Sequence, residues 1–272
     1  MPPPVLRVPR SSWRASGCVE GERAIPEETA IAFTYNTASY AVMMATPQDL
    51  EDFAVGFSLT EGIIASPAAI DGIDIVEQDV GIELRIWLTA PHAAEFLGRR
   101  RKIAGPTGCG LCGIETLTEA MRPPPDMGEG LVYTPDQIMT AVDSLFPLQI
   151  LNHETRAVHA AGFWEPERGL VAVREDVGRH NALDKLAGAL TREGTTAKEG
   201  LVVLTSRVSV EMVQKSAAIG APIIAAVSAP TALAVRMADT AGMTLIAIAR
   251  KDGFEVFTHP HRVSGKLASH VA

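Results

Sequence analysis

Two runs in the second half of the chain, Leu201-Val202-Val203-Leu204 and Ile223-Ile224-Ala225-Ala226-Val227, are apolar at every position, so neither suits a strand with one wet face. They fall inside strand patterns spanning Leu201 to Ser206 and Pro222 to Ser228. Each pattern is followed by a helical one, Ser209 to Ile219 and Pro230 to Ala241, and Met243 to Arg250 reads as a further strand. Upstream, Val158 to Trp164 and Leu170 to Arg174 look like a strand pair and Gly178 to Glu193 a helix. A sheet covered by helices on both faces accommodates such runs, which predicts an α/β chain with a three-layer α/β/α domain. The uncharged stretch from Ser216 to Val235 is long enough on paper to cross a bilayer. Gly220, Pro222 and Pro230 break it, so no membrane span is expected.

The first half has a different rhythm. Apolar residues alternate from Thr29 to Ala45 around the polar turn Asn36 to Ser39, as in a hairpin. Thr46, Pro47 and Asp49 read as a helix start with proline at the first helical position, and Gly62 as its stop. Gly72 to Val80 and Ile82 to Thr89 read as strands and Pro91 to Lys102 as a helix. A glycine-rich loop, Gly105 to Gly113, then leads into a short helix, Ile114 to Met121. Pro123, Pro124 and Pro125 with Gly128 and Gly130 make the best linker in the chain, and Thr134-Pro135-Asp136-Gln137 opens a helix beyond it. The expected organisation is a mobile tail over 1–18, a smaller α+β domain over 19–126 and the α/β/α domain over 127–272. The tail carries Arg7, Arg10 and Arg14 and lacks the apolar core of a secretory signal.

The formal net charge of −8 disfavours wholesale binding to nucleic acid or an anionic membrane, so any phosphate site must be local. The three cysteines, Cys18, Cys109 and Cys112, are too few for a disulfide scaffold. A reducing cytoplasm is the consistent compartment, with Cys18 a bystander. Cys109-Gly110-Leu111-Cys112 stands just before a helix, where free N–H groups and the macrodipole favour a thiolate, and glycines leave the sulfur open. Three chemistries fit such a pair: a redox dithiol, half of a metal site, or a persulfide carrier. Zinc needs a fuller ligand set, and His92, His153, His159 and His180 are scattered. Base deaminases pair H-x-E with P-C-x-x-C, and no H-x-E lies upstream here.

A second constellation runs from Arg174 to Lys185. Gly178 opens a helix whose first turn carries Arg179, His180 and Asn181, a start that suits a phosphate. Asp184 and Lys185 can pair with each other or with a bound base or loop. A capped, solvated helix face with Asp176 as the cap is the plainer alternative. Thr205-Ser206-Arg207 and Ser228-Ala229-Pro230-Thr231 each end an apolar strand before a helix, the edge of an open sheet where ligands sit. Arg207 and Ser228 are therefore candidate ligand contacts, with simple N-caps at Ser206, Ser209 and Ser228 the alternative.

Taken in chain order, Thr107 to Gly113, Val158-His159-Ala160-Ala161, Arg174 to Lys185, Glu211 to Lys215, Ala226 to Thr231 and Leu233 to Val235 resemble the FdhD/NarQ family of formate dehydrogenase accessory sulfurtransferases. The resemblance spans about Ala30 to Thr258. It implies a cytidine-deaminase-like fold that is not a deaminase, and a cytoplasmic homodimer. The implied function is to accept sulfur from a cysteine desulfurase and deliver it to the molybdenum cofactor, Mo-bis(molybdopterin guanine dinucleotide), on the cofactor's way into formate dehydrogenase. It also implies Cys109 as the persulfide-bearing residue with Cys112 its supporting partner, and guanine nucleotides as ligand analogues. The stretch Ile248, Ala249, Arg250, Lys251, Asp252 and Gly253 matches one that the family associates with cofactor binding. The rival reading is an escort for a guanine-dinucleotide cofactor without sulfur chemistry.

Overall fold

The computed structural model describes residues 1–100 and 124–265. The glycine-rich loop with Cys109 and Cys112, and the short helix expected over Ile114 to Met121, lie outside the described residues. The chain is mixed α/β and divides into two compact units that interleave in sequence. The first comprises Met1–Arg122, Gln149–Ala160 and Arg174–Glu193, the second Pro123–Leu148, Ala161–Val173 and Gly194–Ala272. This differs from contiguous domains over 19–126 and 127–272, because a helix from the second half of the chain belongs to the first unit.

The expected tail over 1–18 is corrected. Strand β1 (Val5–Arg14) pairs antiparallel with β2 (Gly17–Pro26), Gly17 turning the chain at φ 113°. The ribbon escaped the sequence reading because its strands are mostly exposed, so no apolar alternation marks them, and Pro9 is tolerated since β1 is an edge strand. The next hairpin follows its pattern: β3 (Thr29–Tyr35) and β4 (Ala38–Ala45) join through Asn36 and Thr37, both left-handed. With β5 (Ile70–Gln78) and β6 (Gly81–Leu88) they form a four-stranded sheet in the order β4-β3-β6-β5, with β3 and β6 parallel. Alternation in β6 buries Ile82, Leu84, Ile86 and Leu88. They join a core with Phe33, Phe53 and Phe57, whose Phe33 and Phe57 rings stack at 4.1 Å.

Helix α1 (Leu50–Thr60) starts later than its signature implied. Pro47 lies outside it, and Asp49, left-handed at φ 52°, is an N-cap without a side-chain bond. Thr46 is engaged elsewhere, as described below. Helix α2 (Ala90–Arg100) ends the described part of this half. Helix α3 (Pro135–Leu145) begins with the full reciprocal capping box between Thr134 and Gln137. The sequence reading missed α4 (Ile150–Thr155), a helix of fewer than two turns.

Strands β7 (His159–Glu165) and β8 (Gly169–Asp176) precede helix α5 (Arg179–Arg192). Then follow β9 (Leu201–Leu204), α6 (Val210–Ala218), β10 (Ile223–Ala226), α7 (Ala232–Thr240), β11 (Thr244–Arg250) and β12 (Gly253–Val256). The six-stranded sheet has the order β12-β11-β10-β9-β7-β8, with β9, β10 and β11 parallel. Every residue of β9 and β10 is buried, as their unbroken apolarity requires. Helix α3 packs on β9, β10 and β11, while α7 packs on β11 and against α6. The uncharged stretch resolves into the end of α6, β10 and the start of α7. Among the described residues no helix is long and apolar enough to cross a membrane. Arg262, 1% exposed, closes this unit by donating to the carbonyls of Gly128, Glu129 and Gly242 and to Thr244 Oγ1.

Candidate ligand sites in the two units

In the first unit the stretch Arg174 to Lys185 does two jobs. Asp176 and Lys185 are both fully buried, and Lys185 Nζ donates to Asp176 Oδ2 at 2.6 Å and to the Thr46 carbonyl at 2.8 Å. The same carboxylate accepts from Thr46 N at 3.0 Å, Gly178 N at 2.7 Å and Asn181 Nδ2 at 2.9 Å. Thr46 Oγ1 accepts from Val177 N at 3.1 Å, so this threonine joins the strand–helix connection instead of capping α1. The second amide proton of Asn181 goes to the Met44 carbonyl at 2.8 Å. Both its donors are thus committed to protein, and Asn181 positions the helix start. Asp184 accepts from Thr60 Oγ1 at 2.5 Å, and Asp176 anchors the pair with Lys185 without capping α5, whose N-cap is Gly178.

Arg179 and His180 remain half-buried at the first turn of this helix, and Arg179 Nε is buried with no hydrogen-bond partner among the described residues. His159, at the start of β7, has its pKa pushed below the usual imidazole value, chiefly by burial and further by the Arg179 guanidinium, with Asp176 opposing. The folded state therefore favours neutral His159. Its contribution is complete above the unfolded pKa of about 6.5 and is lost as pH falls through the lower folded value. His159→Gln is expected to flatten the part of acid destabilisation that sets in below about pH 6.5. Urea midpoints of both proteins between neutral and mildly acid pH check this, and parallel curves refute it.

In the second unit the C-terminal ends of three parallel strands share one edge. The loops after β9 and β10 are tied by a bridge between Val208 and Pro230, with Val208 N donating to Ala229 O at 3.3 Å and Thr231 N to Val208 O at 2.9 Å. Ile248 N donates to the Ser228 carbonyl at 3.2 Å, which brings β11 to the same edge. Arg207 is exposed and Ser228 half-buried there. Ile248 is left-handed at φ 55°, costly for a β-branched residue, and sits where the register between β11 and β12 shifts from Ala247 to Arg250. Ala249 is buried, so it shapes the bulge, whereas Arg250, Lys251 and Asp252 are exposed and Gly253, at φ 131°, completes the turn.

The sequence reading passed over one residue here as a plain cap. Ser209 is the N-cap of α6, yet its hydroxyl makes no capping bond and is buried without a partner among the described residues. A buried orphan donor beside a helix N-terminus, two residues from an exposed arginine, is chemistry suited to an anion. Only the structure reveals it, because a satisfied cap has the same sequence. The candidate residues thus fall into two sets, Arg179 and His180 in the first unit and Arg207, Ser209, Ser228, Arg250 and Lys251 in the second. Among the described residues no three His, Cys, Asp or Glu side chains stand together as a metal site.

Comparison with known proteins follows the same outline. The family model described as FdhD/NarQ matches residues 26–264. A protein named sulfur carrier protein FdhD from Agrobacterium fabrum is 54% identical over 259 residues, covering 94% of this chain and 95% of that one. Its namesake from Brucella abortus is 52% identical over 251 residues, covering 92% and 93%. The crystal structure described as a formate dehydrogenase accessory protein from Desulfotalea psychrophila superposes with a TM-score of 0.74 at 26% identity, covering 96% of this chain and all of that one.

Proposed function

Because the chain belongs to the FdhD/NarQ family, we propose that it is a sulfur carrier in which Cys109 takes sulfane sulfur from a cysteine desulfurase and hands it to Mo-bis(molybdopterin guanine dinucleotide) bound for formate dehydrogenase. The observation that carries this reading is 54% identity to a sulfur carrier protein across 94% of the chain, joined to the chain's own Cys109-Gly110-Leu111-Cys112. Cys109 thiolate attacks the terminal sulfur of the desulfurase persulfide, forming Cys109–S–SH and releasing the desulfurase cysteine as thiolate. Attack of the Cys112 thiolate on the Cys109 sulfur then closes a Cys109–Cys112 disulfide and releases the outer sulfur as hydrosulfide for the molybdenum of the substrate, the two thiols supplying the two electrons and a cellular dithiol resetting the pair. Cys112 supports the persulfide as a neighbouring thiol. The cytoplasm is the compartment in which both thiols stay available, and a homodimer is the expected assembly.

Incubation with a cysteine desulfurase and cysteine, followed by intact mass measurement, tests the carrier role. One added sulfur on the wild type and none on Cys109→Ala is the expected result, together with loss of formate dehydrogenase maturation by the variant. A wild type that takes up no sulfur, or a Cys109→Ala variant that still matures the enzyme, overturns the reading and leaves a cofactor escort. The sheet edge with Arg207 and Ser209 is the seat we assign to substrate phosphates. Arg207→Glu is expected to weaken binding of GDP, a guanine-nucleotide analogue, about ten-fold, the scale of one lost charge-assisted hydrogen bond. Titration calorimetry reads this change, and persulfide loading of the variant should stay intact.

A further inference from the structure

We propose that the N-terminal hairpin is a dimerisation arm, which lays one of its faces on the outer face of the four-stranded sheet of a second copy of this chain. This rests on the homodimer reading above. Both surfaces belong to the first unit. The ribbon is held at its end near Pro26, where Ala24 is buried and Arg23 donates to the Thr155 carbonyl at 3.2 Å. From Pro9 to Glu22 every residue except Ser12 is exposed, and two strands left uncovered are marginal in water. Pro9 offers no N–H, so the ribbon meets a partner through a face and not by gaining a strand. Cross-strand partners share a face, which sets Arg10, Ser12 and Arg14 with Gly21, Val19 and Gly17. Each of these arginines stands opposite a glycine whose Cβ would meet nothing within 4 Å, so both guanidiniums lie open beside Val19, 62% exposed. Glu20 and Glu22 are on the other face, as is Arg7.

The receiving surface is the face of the four-stranded sheet turned away from the core. Register places Val42 and Met44 of β4 on it together with Glu83, Arg85 and Trp87 of β6. Val42 and Met44 are 62% and 50% exposed, and a depression of about 190 Å³ opens beside Trp87. On β5, Asp74 stands opposite Arg85, and Asp71 is the extra residue of the bulge opposite Trp87. Arg85 is taken by Glu83 at 2.9 Å, so Asp71 and Asp74 leave the face acidic. A face that is acidic on one side and apolar on the other thus matches a ribbon face of two arginines and a valine. In its own chain the ribbon does not cover this sheet, because Val19, Val42 and Met44 all stay exposed. Two sheet faces set on each other would bring acid to acid. Arm on sheet avoids that, and its reciprocal form closes about a two-fold axis.

Paired charge reversals in the full chain, followed by sedimentation equilibrium, test the arm. Arg10→Glu with Arg14→Glu, and separately Asp71→Lys with Asp74→Lys, should each raise the dimer Kd at least about ten-fold, since like charges then face each other across the interface. Mixed in equal amounts, the two variants should re-form dimers of wild-type affinity, because each arm then meets a sheet of opposite sign. Arg7→Glu, on the other face of the ribbon, should leave the Kd unchanged. Val42→Lys, a single change at an exposed site, is an independent variant and should weaken the dimer as well. A mixture that stays monomeric while both variants keep the wild-type circular dichroism overturns the proposal. An unchanged Kd for Val42→Lys, or dissociation by Arg7→Glu as strong as that by the Arg10 and Arg14 pair, does the same. A dimer that survives both reversals overturns the arm and leaves the homodimer reading standing, whereas a wild type that is monomeric at its highest soluble concentration overturns both.

Discussion

Asp176→Ala is expected to cost about 3–5 kcal/mol of folding stability, because it strips the partner from a buried ammonium. Lys185 is fully buried, and its remaining contacts are the Thr46 carbonyl and the Phe53 ring, whose centroid is 5.4 Å away. The substitution also orphans Thr46 N, Gly178 N and one Asn181 amide proton, each of which points at the lost carboxylate. Removing both charges is a different experiment. Asp176→Leu with Lys185→Leu eliminates the desolvated pair as a unit, so the double variant should recover a substantial part of the loss suffered by either single variant. Urea unfolding at constant slope measures all four corners of the cycle. A cost below about 1 kcal/mol for Asp176→Ala, the size typical of an exposed pair, would mean the site is open to water.

Gly188→Ala is expected to be at least as damaging, by steric means. Helices α1 and α5 cross where Gly56 of one meets Gly188 of the other. A Cβ on Gly188 would lie 1.8 Å from the Asp52 carbonyl oxygen, and one on Gly56 only 1.7 Å from that of Asp184. Both obstacles are backbone, so relief requires the helices to part, whereas overpacking against side chains alone costs about 1–3 kcal/mol. Separation would also pull Arg174 and Arg192 from Asp52, which they reach at 2.7 and 2.5 Å. We expect a loss of about 3 kcal/mol or more from either substitution, read as a fall in urea midpoint. Gly194→Ala is the control. With nothing within 4 Å of its Cβ it should show only the modest penalty of its left-handed backbone, φ 70°.

Local signals that ask only for local answers were readable in the chain. Thr134 and Gln137 form the reciprocal cap their spacing implies, and the unbroken apolarity of β9 and β10 marks strands buried throughout. Signals answered at long range were misread. Thr46-Pro47 has the letters of a helix start, yet Thr46 answers to Asp176 and Lys185, far along the chain. The Arg174 to Lys185 motif looked like one ligand site, but its buried members hold the α1–α5 contact, leaving Arg179 and His180 as the half-exposed remainder. The Gly56–Gly188 crossing is silent in sequence because a helical glycine says nothing about its distant partner. At the sheet edge, the position of Arg207 and Ser228 just beyond buried strands was legible from the strand-then-hydroxyl pattern. The orphaned hydroxyl of Ser209 and the left-handed Ile248 were not, since neither follows from residue type.

The interleaving of the units also sets an order of assembly. Growing chains usually finish N-terminal parts first. Here α1 emerges early, but the helix that covers its Gly56 face ends at Arg192. The first unit therefore stays unfinished until the chain has grown to Glu193, and closing it requires a contact of long sequence separation, the kind that slows folding. Throughout that interval Asp52, Gly56 and the Thr46 loop lack their partners. The nascent chain thus exposes this surface for longer than an independent N-terminal domain would.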